Sequence, residues 1–461
     1  MKDSSKIVSS FRDPSGFLFI RNGKLYRQIN PGYKQDYDLL MSSGLYEILV
    51  GENLLVSHEE IECPGENPKE CYKVIAPEPI AFISYPYEWC FSQMKEAALA
   101  TLKIQKMAIQ AGMCLKDSSA FNIQFSNGCP VLIDTLSFEK YREGKPWVAY
   151  RQFCQHFLLP LMLMVHCDVR FHRLSQIHLD GIPLDFGSRL LPFWTYFLPS
   201  YLAHVHLHAL SQRFYGKKFV AASKVESGAF SKSAMLGLID SLEKIVLGLR
   251  WKPSGTEWAE YYGTADCNAE GLEKKKAFVR GYLKEKKPGI VWDLGANTGV
   301  FSRLASDVSN QVISFDVDPA AVEKNYALCR KEGKKNVLPL VLDLCNPTPS
   351  IGWELRERAS FFERPPADLL LALALVHHLA ISNNLPLDYL AKLFSRLGKF
   401  LVIEFVPKED IQVERMLSVR EDIFPQYNEA GFEQAFSQYF HIENRVKLEP
   451  TGRTLYFMKV R

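Results

Sequence analysis

From Gly271 onward the chain alternates helix-like and strand-like segments, and this alternation constrains the fold more than any other feature. GLEKKKAFVRGYLKEKK reads as a helix and GIVWDLG as a buried strand. TGVFSRLASDV and PAAVEKNYALCRKEG read as helices on either side of the strand QVISFDVD. VLPLVLD, DLLLALAL and KFLVIEFV continue as strands, with a helix near LDYLAKLFSRLG, a helix GFEQAFSQY and a closing hairpin IENRVKL-EPTG-RTLYFMKV. Short apolar runs separated by amphipathic stretches specify a parallel, doubly wound α/β sheet, because each strand buries both faces against crossover helices.

The first half reads differently. Residues 1–90 carry short β-like runs, GFLFI, KLYRQI, LYEILV, ENLLVS, YKVIA and IAFISY, separated by charged and Gly/Pro pieces. They predict a mostly β lobe. A long amphipathic helix follows in EWCFSQMKEAALATLKIQKMAIQAG, stopped by Gly112. NIQF-SNG-CPVLIDTLSF reads as a hairpin, and residues 145–215 as apolar helices. Residues 216–270 are more polar and only partly helical, as a connection between domains would be.

Composition narrows the function. A net charge of +3 argues neither for nor against nucleic acid, but a dedicated binder is usually far more basic and no basic block stands out, so nucleic acid is not an expected partner. The ten cysteines form no CxxC pair, which suits reduced thiols in a cytoplasmic protein. The start, MKDSSKIVSSFRDPSG, lacks the apolar core of a secretory signal. Leu190–Leu210 is the most apolar stretch, but Pro192, Pro199 and three histidines interrupt it, so no membrane span is expected. His204 and His208 share a helix face; with no third ligand at a suitable spacing, they read as core histidines, and no metal site is expected.

The segment IVWDLGANTGVFS holds the main candidate site. A buried strand runs into Asp293-x-Gly295-x-Asn297-x-Gly299 and then a helix, so the glycines permit a tight turn and close approach of a ligand. Asp316 ends the next strand, where a carboxylate accepts ribose hydroxyls, and Asp343 ends the third. The glycine spacing fits a dinucleotide fingerprint poorly. Asp293 beside the loop repels a pyrophosphate and suits a cationic ligand.

These motifs, with LALVHHL after the fourth strand and the final hairpin, make residues 271–461 resemble a class I S-adenosylmethionine-dependent methyltransferase with a Rossmann-like seven-stranded sheet. The resemblance implies that Asp293, Gly295, Asn297 and Gly299 cradle the methionine part of S-adenosylmethionine. Asp316 would hold the ribose, and Asp343 and Leu344 would flank the adenine. His377 and His378 stand where a residue could take a proton from a hydroxyl or amine acceptor, with packing histidines as the alternative. Glu404 reads as a structural carboxylate, and Arg415 and Arg420 as solvated charges or an anion grip.

LKDSSAFN in the first half sets Asp117 and Asn122 at the spacing of a kinase catalytic loop, with Asp134 twelve residues further on, near the distance to the kinase metal-binding Asp. In kinases the first Asp orients the acceptor hydroxyl and the other two hold Mg2+. Residues 1–215 thus resemble an α+β kinase-like domain. Leu115 stands in place of the usual His, IDT in place of DFG, and no Gly-rich loop is present. KLYRQI offers only Lys24 and Arg27 as the strand cation. These departures favour an accessory domain over a phosphotransferase, with chance spacing in a β-hairpin as the third reading. SYPYEWCFSQMKEAALATL, GMCLKDSSAFNIQF, PVLIDTLSFE and WVAYRQFCQHFLLPL, together with DLGANTG, resemble a bacterial group of nodulation-protein-like methyltransferases over most of the chain. The expected function is methyl transfer to an unidentified small-molecule or protein acceptor. The alternatives are a bifunctional protein that also transfers phosphate, and a non-catalytic S-adenosylmethionine-binding interaction protein.

Overall fold

The computed structural model describes residues 4–62, 65–210, 231–253 and 269–461, which fall into two compact units. Residues up to Lys252 form the first, together with Ser350–Ala359; Pro253–Pro349 and Ser360–Arg461 form the second. Of the expected connection 216–270, residues 216–230 and 254–268 lie outside the described residues, and the described part carries the helix Lys232–Gly248.

The first unit opens with an antiparallel sheet of β1 (Ser4–Lys6), β2 (Gly16–Arg21), β3 (Lys24–Ile29), β4 (His58–Ile61) and β5 (Lys73–Pro77), in the order β1-β2-β3-β5-β4. LYEILV is not a strand. It forms the helix Leu45–Gly51, begun by Gly44 at φ +75°. Leu45 and Leu49 are its buried residues, and a four-residue spacing puts them on one helical face. A six-residue apolar run fits either period, and here tertiary packing selected the helix. ENLLVS and IAFISY are likewise not strands, although Leu55 bridges to Leu132.

The helix Phe91–Gln110 follows, with the Cys90 amide donating to Gln93 Oε1 at its start and Gly112 at φ +77° just past its end. Next come β6 (Met113–Leu115), the hairpin of β7 (Ile123–Ser126) and β8 (Cys129–Leu132), and β9 (Phe138–Lys140), which pairs with β6. Asn127 and Gly128 at φ +50° and +71° make the tight hairpin turn. Leu190–Leu210 divides into the short helix Phe193–Phe197 and a helical run beginning at Pro199, and no helix among the described residues is long and apolar enough to cross a membrane. Ser350–Ala359 is bound into this unit: Arg12 pairs with Glu357 at 2.7 Å, and the Ala359 amide donates to Tyr85 Oη at 2.7 Å.

The second unit is the doubly wound sheet. Its strands are β10 (Ile290–Leu294), β11 (Gln311–Asp316), β12 (Val337–Val341), β13 (Ala367–Ala372), β14 (Gly398–Phe405), β15 (Phe440–Leu448) and β16 (Arg453–Val460). They lie in the order β12-β11-β10-β13-β14-β16-β15. The first five are parallel, and β16 enters antiparallel beside β14. The order reverses between β10 and β13, so the loops after these two strands diverge to opposite faces and open a crevice at the carboxyl edge. Beneath it lies an apolar core including Val291, Val312, Leu369, Leu371 and Val402, covered by the helix Ala269–Lys286.

Candidate functional site

The loop after β10 is shaped by residues that tolerate a left-handed backbone: Gly295, Asn297 and Gly299 have φ of +71°, +51° and +74°. At Gly299 a side chain is excluded twice over, because a Cβ would lie 2.0 Å from Asn325 Oδ1. The Gly295 and Ala296 amides both donate to the Phe315 carbonyl at 2.9 Å, which fastens the loop to the end of β11. Asp316 completes the fastening. Its Oδ2 accepts from the Asn297 amide at 2.7 Å and its Oδ1 from the Asp318 amide at 2.9 Å. Burial pushes the Asp316 carboxyl upward, against the lowering effect of these two donors.

Asp293 lies beneath the loop, 3% exposed. Its Oδ2 accepts from Ser302 Oγ at 2.5 Å; Ser302 Oγ is 2.9 Å from Ser314 Oγ, which in turn accepts from Asn325 Nδ2 at 2.7 Å. This chain of side chains ties strand, loop and following helices together. Burial raises the Asp293 carboxyl to about 7, the Ser302 bond opposing the shift.

A cavity of about 320 Å3 opens at this edge, of a size ordinary for small-molecule sites. Gly295, Asn297, Asp316, Asp343, Leu344 and His378 all line it, brought together from the ends of four strands and loops. Asp293, Gly299 and His377 are not lining residues. Asp343 Oδ1 accepts from the Cys345 amide at 2.9 Å, which turns the chain away after β12. The far wall, Leu373, Ala374, Leu375 and Leu379, is apolar, with Ser382 and Asn383 beyond it. Asp316 and Asp343 are the carboxylates of the lining, which holds no lysine or arginine.

His377 and His378 differ in access. His377 is 2% exposed, and its Nδ1 has no hydrogen-bond partner. His378 faces the cavity. Burial, then the positive charge of Arg453, lowers His378 to about 4, and burial holds His377 well below the usual imidazole range, so both imidazoles are neutral near pH 7. Arg420, read from sequence as an anion grip or a solvated charge, instead donates to the Ile381 carbonyl and, at 2.6 Å, to Asn384 Oδ1. It holds the turn His378–Ser382 that carries part of the lining.

Glu404 was legible only as a strand-end carboxylate. It is fully buried, bound by Lys275 Nζ at 2.5 Å and Arg453 Nη1 at 3.4 Å, and its Oε2 accepts from the Ala374 amide at 2.9 Å. No local pattern links residues 275, 374, 404 and 453.

In the first unit, Asp117, Asn122 and Asp134 do come together. Burial raises the Asp117 carboxyl, and both Asp134 and Asn122 act on it. Asp117 Oδ1 accepts from the Ser119 amide at 2.9 Å. Asp134 is engaged on every side: Arg27 Nη1 lies 2.6 Å from its Oδ1, the Leu136 amide donates to the same oxygen, and Ser137 Oγ donates to Oδ2 at 2.7 Å. Arg27 also pairs with Asp13 at 2.8 Å. His204 bonds Tyr150 Oη at 2.8 Å and Ser241 Oγ at 2.9 Å, as a core histidine does. Among the described residues no group of three or more His, Cys, Asp or Glu side chains is placed to hold a metal ion.

A seven-stranded α/β sheet with a cavity at the carboxyl edge of its switch point defines a Rossmann-like domain. No protein-family model matches the chain. The chain is 34% identical over 461 residues to nodulation protein NoeA of Rhizobium meliloti (strain 1021), covering 98% of this chain and 95% of that one. It therefore belongs to the family of nodulation protein NoeA. Among solved structures, it is similar to the N-methyltransferase NodS from Bradyrhizobium japonicum WM9, at 12% identity over 42% of this chain and 98% of that one, TM-score 0.31. Magnesium protoporphyrin IX methyltransferase from Synechocystis PCC 6803, with bound SAH, is similar at 16% identity over 44% of this chain and 93% of that one, TM-score 0.32.

Proposed function

We propose that this protein is an S-adenosylmethionine-dependent methyltransferase whose donor site is the cavity at the β10–β13 switch point. The observation that carries the reading is the loop Gly295–Gly299, folded back onto the Asp316 carboxylate at the rim of a cavity that Asp343 also lines. A methionine part fits beside Gly295, which lines the cavity. A ribose fits the free lone pairs of Asp316, and an adenine fits between Asp343 and Leu344. The acidic lining matches a donor that carries an amino group and a sulfonium, and it would repel a pyrophosphate. S-adenosylmethionine supplies the methyl group; the protein's part is to hold donor and acceptor in line and to exclude water.

The acceptor atom is a neutral nucleophile, a hydroxyl or an amine. This is supported by the lack of a lysine or arginine in the lining and by His378 on the acceptor wall, which is neutral near pH 7 and adds no charge there. The acceptor is a small molecule or a protein group presented to that wall. The first unit, which resembles a kinase-like fold in sequence, acts as an accessory domain and not as a phosphotransferase. Support comes from Arg27, which fills the coordination of Asp134 that a metal ion would need.

Isothermal titration with S-adenosylhomocysteine tests the reading. Wild-type protein binds, and Asp316→Ala binds at least tenfold more weakly. Absence of wild-type binding refutes the donor site. Incubation with labelled donor and cell extract then separates a methyltransferase, which labels a product, from a protein that only binds the donor.

A further inference from the structure

Glu404 is the most completely buried charged group beside the cavity, and the proposed reaction does not use it. Its carboxylate has no solvent exposure. One oxygen faces Lys275 and Arg453; the other accepts from the Ala374 amide at 2.9 Å. Burial by itself would raise this carboxyl, but Lys275 and Arg453 more than offset that and keep it ionised. Arg453 Nε continues to Asp410 Oδ2 at 2.7 Å, and Asp410 caps the helix Ile411–Leu417. Two cations and two carboxylates thus balance one another, which is the condition under which buried charges persist.

The bond to Ala374 is the informative one. Ala374 has φ +50°, a conformation that an alanine adopts only under constraint. It is the first turn residue beyond β13, and it lines the cavity two residues after Ala372, the end of the strand. The chain direction chosen there decides where Leu375 and His378 stand. A carboxylate anchored from two sides by Lys275 and Arg453 is a fixed acceptor, and the Ala374 amide is held to it.

We infer that Glu404 is a positioning residue for the proposed methyl transfer: it locks the left-handed turn at Ala374 and so sets the acceptor wall of the cavity. This rests on the reading of the cavity as the donor site. It makes Glu404 neither a base nor a ligand contact, since the side chain reaches the cavity only through the Ala374 backbone.

The test separates the hydrogen bond from the charge. Glu404→Gln with Lys275→Met keeps an acceptor oxygen for Ala374 and removes one charge of each sign. Glu404→Leu with Lys275→Met removes the same charges and the acceptor. Expected is S-adenosylhomocysteine binding within threefold of wild type for the Gln pair and at least tenfold weaker for the Leu pair. Hydrogen exchange across Leu373–Leu375 in the unliganded proteins is expected to accelerate at least tenfold in the Leu pair and less than threefold in the Gln pair. Where the Leu pair does not fold, Glu404→Ala with Lys275→Met replaces it. Equal exchange in the two pairs overturns the inference whether or not wild type binds the probe. Failure of wild-type binding with unequal exchange refutes the donor site and leaves the turn lock standing.

Discussion

Gly299→Ala should be strongly destabilising in the second unit, and its cost can be divided. The residue sits at φ +74° and ψ +31°, where an L-residue pays about 1–2 kcal/mol. A Cβ there would meet Asn325 at 2.0 Å from Oδ1 and 2.3 Å from Cγ. Asn325 is 1% exposed and donates to Ser314 Oγ at 2.7 Å, so its amide cannot swing away without breaking the chain that runs through Ser302 to Asp293. Forced overpacking adds about 1–3 kcal/mol and the lost hydrogen bond about 1 kcal/mol more, which brings the whole to about 3–6 kcal/mol.

Asn325→Ala removes the obstructing amide, so in that background Gly299→Ala should cost only the backbone part, about 1–2 kcal/mol. The difference between the two backgrounds is the coupling energy of a double-mutant cycle, expected at about 2–4 kcal/mol. Urea denaturation of the full chain, read by hydrogen exchange of the β10 amides, measures all four corners. A coupling below about 0.5 kcal/mol, the range of independent sites, would show that Asn325 does not forbid a side chain at Gly299 and would refute the packing argument.

Asp293 supplies a pH test. Its folded carboxyl is raised to about 7 from an unfolded value near 4, so it costs nothing below pH 4 and destabilises the unliganded fold progressively as pH rises to 7. Asp293→Asn removes this cost, and the stability of the variant relative to wild type should improve by about 2–4 kcal/mol between pH 4 and pH 8 in urea titrations; a flat difference would contradict the burial assigned to the carboxyl. Arg27→Ala takes from Asp134 and Asp13 the cation they share and should cost about 2–4 kcal/mol of first-unit stability in thermal unfolding, a loss that Arg27→Lys only partly restores. His204→Ala removes one hydrogen-bond partner from each of the Tyr150 and Ser241 hydroxyls and should cost about 1–3 kcal/mol, while a chelator leaves wild-type melting unchanged. Chelator-induced destabilisation would instead point to a bound metal.

The loop after β10 was readable in sequence because its chemistry is local. A left-handed backbone at three of five positions selects glycine and asparagine, and those residue types appear at 295, 297 and 299. The doubly wound sheet was readable for a similar reason, since continuous apolar strands separated by helices have few ways to pack. LYEILV marks where local reading fails. Six apolar-rich residues satisfy both periods, and the choice fell to the packing of Leu45 and Leu49. Arg27 and Asp134 lie 107 positions apart in the sequence, and their pairing follows from the fold alone.

The same limit explains why the motif residues and the cavity residues are not one set. DLGANTG marks Asp293 and Gly299 as strongly as Gly295 and Asn297, yet the first pair serves the architecture beneath the loop and the second pair faces the cavity. The two histidines divide in the same way, with His378 at the wall and His377 behind it. Sequence identifies residues that a site requires, without separating those that touch a ligand from those that hold the touching residues still. Glu404 is the extreme case: its partners at 275, 374 and 453 come from a helix, a turn and the antiparallel strand β16, and only folding brings them to one carboxylate. Substitutions that separate hydrogen bonding from charge at such a residue therefore probe the site's geometry in a way that no substitution inside the motif can.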